Sequence, residues 1–165
     1  MMEALRLEAY RAVRERAGLI DGSIWGAVEV RGADRAGFLH NLLTQDIASL
    51  APGTAIEAAL VTPAAKLLAD LLVLAEPQAH WLIAPRGRVE TVVQTLDRYL
   101  ITEDVTLADR RGSHAVLALQ GPRSTEILKA LGGVRQAAYS CSGEPGALLI
   151  VPVEQASALR SRCGE

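Results

Sequence analysis

One carboxylate interrupts an apolar run. Asp70 stands inside Lys-Leu-Leu-Ala-Asp-Leu-Leu-Val-Leu, residues 66–74. A lone carboxylate buried in such a strand costs several kcal/mol unless it is paired or hydrogen-bonded. Chains tend to keep such a group where it binds something, which makes Asp70 the first candidate for chemistry. Strand alternation puts Lys66, Leu68, Asp70, Leu72 and Leu74 on one face. Lys66 and Asp70 then lie roughly 13 Å apart along the strand, able to line one groove but not to pair. A plain structural reading stands beside this one: an edge-strand aspartate facing water, or one held by backbone amides. Asp46 and Thr44, in Leu-Leu-Thr-Gln-Asp-Ile, read as turn-stabilising residues. Arg86 and Arg88 could meet an anion, but two arginines before a helix are usually solvated.

Other chemistries find little support. Gly32, Gly53 and Gly121 punctuate turns, and none belongs to a phosphate-cradling pattern. No nucleophile–histidine–acid arrangement is legible. Two cysteines, Cys141 and Cys163, are too few for a disulfide framework or a zinc site, and His40, His80 and His114 are scattered. No metal site is expected. A net charge of −2, without clustered basic residues, argues against an electrostatic nucleic-acid binder. The first 18 residues are charged throughout and lack a signal-peptide core, so a cytoplasmic, reducing location is expected.

The elements that must position Asp70 follow from periodicity. Residues 3–17 and 88–99 repeat apolar residues at helical spacing, and a further helix carries Phe38, Leu39, Leu42 and Leu43 behind an Asp34 N-cap. Strands are expected over 24–31, 56–62, 66–74 and 80–84, then over 105–108 and 115–119. The three middle strands, separated by Pro63 and Pro77, suggest an antiparallel meander. A helix follows Gly121-Pro122, then a strand at 147–151 and a helix at 154–162. Interleaved helices and strands, with several strands in succession, predict an α+β fold. No internal repeat is legible, and a strand–helix unit ending the chain would leave one sheet incomplete.

Read in order, these segments resemble the T protein (aminomethyltransferase) of glycine cleavage and the related YgfZ-type folate-binding proteins. The resemblance rests on Val30-Arg31-Gly32-Ala33-Asp34, on Phe38-Leu39-His40-Asn41-Leu42-Leu43-Thr44-Gln45-Asp46-Ile47, on Asp70-Leu71, and on Leu119-Gln120-Gly121-Pro122. It runs from about Tyr10 to Leu131. It implies an antiparallel-rich mixed sheet with ferredoxin-like βαβ elements and a cavity for tetrahydrofolate. It also implies a folate-binding amino-terminal region over 1–115 and the beginning of a second ferredoxin-like unit over 116–165. In T proteins a Gly-Gly-x-x-Asp-Asp-Leu strand brings acids to the folate. A carboxylate there can orient an amine and stabilise developing positive charge.

The chain departs from that pattern. Ala65-Lys66 replaces the paired glycines, and Ala69-Asp70 replaces the paired acids. The remaining acid makes Asp70 the candidate catalytic and folate-binding residue, with Lys66 for an anionic tail and Leu72 against the pterin. The lost acid and the Ala65-Lys66 turn favour a YgfZ-type accessory protein linked to iron–sulfur enzymes. The alternatives are an aminomethyltransferase working with a lipoyl-bearing carrier, and a non-catalytic fragment that completes its sheet with a second copy.

Overall fold

The computed structural model describes residues 2–140 and 142–163, with side chains described for 7–140 and 142–161. Cys141 therefore lies outside the described residues, as does the side chain of Cys163. The chain divides into two units: a mid-chain unit, Ser23–His114, and a terminal unit built from residues up to Gly22 together with those from Ala115 onward.

Helix α1 (Met2–Glu15) and strand β1 (Gly18–Asp21) open the terminal unit. The mid-chain unit follows with β2 (Trp25–Arg31), α2 (Arg35–Leu42), β3 (Ala55–Val61), β4 (Leu67–Ala75), β5 (His80–Pro85), α3 (Val89–Asp97) and β6 (Thr106–Asp109). The chain then returns to the terminal unit with β7 (His114–Gln120), α4 (Ser124–Leu131), β8 (Arg135–Ala138), β9 (Gly146–Pro152) and α5 (Val153–Cys163). The α+β class and the antiparallel meander β3-β4-β5 are present. Strands β1 and β8 were not expected. Each has only four residues, too few to show alternation.

The mid-chain sheet has the order β3-β4-β5-β2-β6. The path β2-α2-β4-β5-α3-β6 is a ferredoxin-like split βαβ, with β3 added at the edge beyond β4. One face carries Val28, Val30, Ala69, Leu71, Val73, Leu82 and Ala84, packed against Phe38 and Leu39 of α2 and Val89, Val92 and Leu96 of α3. The terminal sheet has the order β1-β7-β9-β8. Here β7-α4-β8-β9-α5 supplies the same path, and β1 fills the place beside β7 that a last strand would take. That edge is therefore not left open, contrary to expectation.

The two units thus repeat one topology that the sequence hides. The likeness extends to the strand-to-helix junctions. Gly32 and Gly121 both adopt positive φ, +111° and +128°. A Cβ on Gly32 would collide with the carbonyl of Asp104, and one on Gly121 would lie 2.7 Å from the carbonyl of Arg16. Two residues on, the backbone N–H groups of Asp34 and Arg123 donate to those same carbonyls, at 3.2 and 2.8 Å. Only glycine allows so close an approach. The expected N-cap at Asp34 is different in detail. Its carboxylate accepts from the backbone N–H of Asp104 at 2.8 Å and does not cap the helix.

Candidate functional site on the second face of the mid-chain sheet

The face turned away from α2 and α3 is where the candidate site lies. Alternation opposite the packed core places Leu72 and Leu74 of β4, Trp81 and Ile83 of β5, and Ala27 and Glu29 of β2 there. Cross-strand register aligns Leu72 with Ile83 and Ala27, and Leu74 with Trp81 and Glu29. All six are buried. Asp70 continues this face along β4, opposite Ala59 of β3 and outside the stretch of β4 that pairs with β5.

Asp70 is exposed, and its carboxylate has no hydrogen-bond or ion-pair partner among the described residues. The desolvation argument that first singled it out therefore does not hold. What remains is position: a free carboxylate at the margin of a largely apolar face, two residues from buried Leu72. A carboxylate so placed can accept hydrogen bonds from the N–H groups of a ligand.

Lys66 does not share this face as alternation predicts. It precedes β4, on the turn from Thr62, where its N–H donates to Thr62 Oγ1 at 3.1 Å. The β3–β4 register then shifts: Leu60 pairs with Ala69, but Val61 pairs with Leu67. Leu68 is the extra residue of a β-bulge and packs towards the core beside Ala69. The bulge breaks the period-2 pattern between Lys66 and Asp70. Asp70, Leu72 and Leu74 keep the common face, and Lys66 and Leu68 leave it.

The same face holds an ionic group that the sequence reading passed over. Glu29 is 3% exposed. Its Oε1 meets Arg31 Nη2 at 2.6 Å, and its Oε2 accepts from Arg110 Nη2 at 2.5 Å and Nε at 3.0 Å. Burial pushes this carboxyl up, but the hydrogen bonds from Arg31 and Arg110 outweigh it and hold the group below the usual carboxylate range. Trp81 lies beside His114, ring centroids 5.2 Å apart, and its Nε1 donates to Glu76 at 3.1 Å. A charge within the apolar strand 25–31 was the signal for Glu29, the same signal that flagged Asp70.

The remaining candidates are structural. Asp46 accepts from the N–H and hydroxyl of Ser49 and pairs with His40 Nδ1 at 3.2 Å. Thr44 Oγ1 accepts from the N–H of Ala59 at 2.8 Å, blunting part of the β3 edge. Arg86 and Arg88 are exposed on a 3-10 turn. Among the described residues no helix is long and apolar enough to cross a membrane.

Comparison with known proteins places the chain in a family. The aminomethyltransferase of Bacillus velezensis is 36% identical over 126 residues, covering 75% of this chain and 34% of that protein. The probable aminomethyltransferase of Natronomonas pharaonis is 36% identical over 133 residues, covering 78% and 37%. The chain thus spans about a third of the length of the curated relatives it matches. Among solved structures, the glycine cleavage system aminomethyltransferase T of Bartonella henselae superposes with a TM-score of 0.81 at 23% identity. That match covers 95% of this chain and 48% of that one, and it shows the shared fold. The model of the GCVT N-terminal domain matches residues 2–143, and the chain belongs to that family.

Proposed function

We propose that this chain carries a tetrahydrofolate-binding face of the aminomethyltransferase type. The observation that supports it most is Asp70: a free, exposed carboxylate at the end of a face otherwise lined by Leu72, Ile83 and Ala27. Tetrahydrofolate, when bound, supplies the nitrogen that takes up a one-carbon unit. Asp70 accepts hydrogen bonds from an amine or ring N–H there, and its charge favours positive charge developing nearby. Leu72, two residues beyond Asp70 on the same face, is assigned to the apolar side of the ring. Lys66, on the turn before the bulge, is the weaker assignment, reserved for an anionic tail.

The loss of the second acid at Ala69 favours an accessory role of the YgfZ type. The named relatives favour the transferase reading instead. In that reading a lipoyl-bearing carrier delivers the one-carbon unit, and further chain completes the enzyme.

Calorimetric titration with tetrahydrofolate and with 5-formyltetrahydrofolate tests the reading. The expected result is binding to the wild-type chain that weakens at least tenfold in Asp70→Asn. A folded wild-type chain that binds neither, or an Asp70→Asn variant that binds as well, would refute it.

A further inference from the structure

The helical side of the mid-chain unit carries a second concave feature. A cleft of about 520 Å³ opens between the start of α2 and the segment after α3, with Phe38, Leu42 and Tyr99 as its apolar lining. Its charged lining residues are Asp34 and Glu103, both acidic. These carboxylates are fixed in place. Asp34 Oδ2 accepts from the N–H of Asp104 at 2.8 Å. Glu103 Oε2 accepts from the N–H groups of Ile101 and Thr102 at 2.9 and 3.0 Å. Asp34 keeps its other oxygen for a ligand.

Two further observations point outward. Gly37 lies inside α2 and lines the cleft. A Cβ built there meets nothing within 4 Å. Glycine in a helix is less favourable than alanine, and no packing contact at this position requires it. Its effect is to keep the cleft deep. Ile101, on the turn that Glu103 pins, is 86% exposed.

We infer that this cleft docks a basic amphipathic segment of a partner protein, seating a lysine or arginine between Asp34, Glu103 and Tyr99. The charge of the lining selects a cation over an anion. The face of Tyr99 suits a guanidinium or ammonium. The apolar lining from Phe38 and Leu42 selects a segment with apolar residues beside the basic one, not a small inorganic cation.

The test uses a fluorescein-labelled 14-residue helical peptide of Leu, Ala and Lys, and its counterpart with Glu for Lys. Fluorescence anisotropy with the whole chain should show saturable binding of the basic peptide that weakens with salt, and none of the acidic one. Gly37→Leu fills the cleft without changing charge and should cut affinity at least tenfold while leaving the melting temperature equal or higher. Asp34→Asn with Glu103→Gln keeps the backbone acceptors and should lose affinity similarly. Absent binding by a folded wild-type chain, equal affinity for both peptides, or unchanged affinity in Gly37→Leu would overturn the inference. Self-association abolished by Gly37→Leu in sedimentation would assign the cleft to a second copy and overturn it likewise.

Discussion

Removing an arginine from the Glu29 group should cost more than removing the glutamate itself. The reason is an asymmetry of burial. Glu29 is 3% exposed, whereas the side chains of Arg31 and Arg110 are 53% and 36% exposed. In Arg110→Met, Glu29 Oε2 loses both of its guanidinium hydrogen bonds and has no route to water; Arg31 still holds Oε1 at 2.6 Å. Breaking a buried pair by deleting one partner costs about 3–5 kcal/mol, and the surviving Arg31 bond puts this variant near 3. In Glu29→Met the two arginines regain water, and the cost falls to about 1 kcal/mol. The double variant should resemble Glu29→Met. Urea titration followed by tryptophan fluorescence reads this unit directly, because both tryptophans, Trp25 and Trp81, lie in it. The pH dependence gives a second check. The folded carboxyl of Glu29 sits below its ordinary value of 4.5. Its contribution is therefore fully present above 4.5 and is lost as pH falls through the lowered value. In Arg110→Met that benefit shrinks, so the gap between variant and wild type should be widest at pH 7 and close towards acid. A Glu29→Met variant as unstable as Arg110→Met would refute the reasoning.

Two further outcomes follow from groups on the other face and at the turn. His80 is 4% exposed, neither ring nitrogen has a partner among the described residues, and burial followed by the charge of Arg35 pulls its pKa below the ordinary 6.5. The unfolded chain then binds the proton more readily, so stability is complete above 6.5 and declines as pH falls below it; the melting temperature of His80→Leu relative to wild type should rise between pH 7.5 and 5.5, and a parallel profile would contradict this. Ala65 holds a left-handed φ of +57° on the β3–β4 turn, so Ala65→Gly should gain about 0.5–1 kcal/mol in urea titration despite the entropy of glycine, and a loss of stability would show that the turn is not strained.

Much of the fold was readable because its longer elements are periodic. Helix α3 buries Val89, Val92 and Leu96 at helical spacing, and β5 follows its apolar run. What escaped has physical causes. Gly18–Asp21 looks like a helix stop because four residues carry no period, yet its register with Leu117–Gln120 makes it a sheet edge. The repeated topology is invisible because the terminal unit draws its edge strand from the far end of the chain. The bulge at Leu68 depends on the pairing of Leu67 with Val61, which local alternation does not reveal. Asp70 was found for an energetic reason that its exposure removes, and Glu29, where that reason applies, was missed. Both bear charge within apolar strands; only the pairing partners, Arg110 from 81 residues away among them, decide which is buried.

The central claim is that a folate sits against the Asp70 end of the second sheet face. Backbone amide shift mapping with tetrahydrofolate tests it most directly. The account predicts perturbations concentrated at Ala59, Asp70, Leu72 and Ile83, reduced in Asp70→Asn, with Gly37, Phe38 and Asn41 of α2 unmoved. Shifts confined to α2, or none at saturating folate, would contradict it.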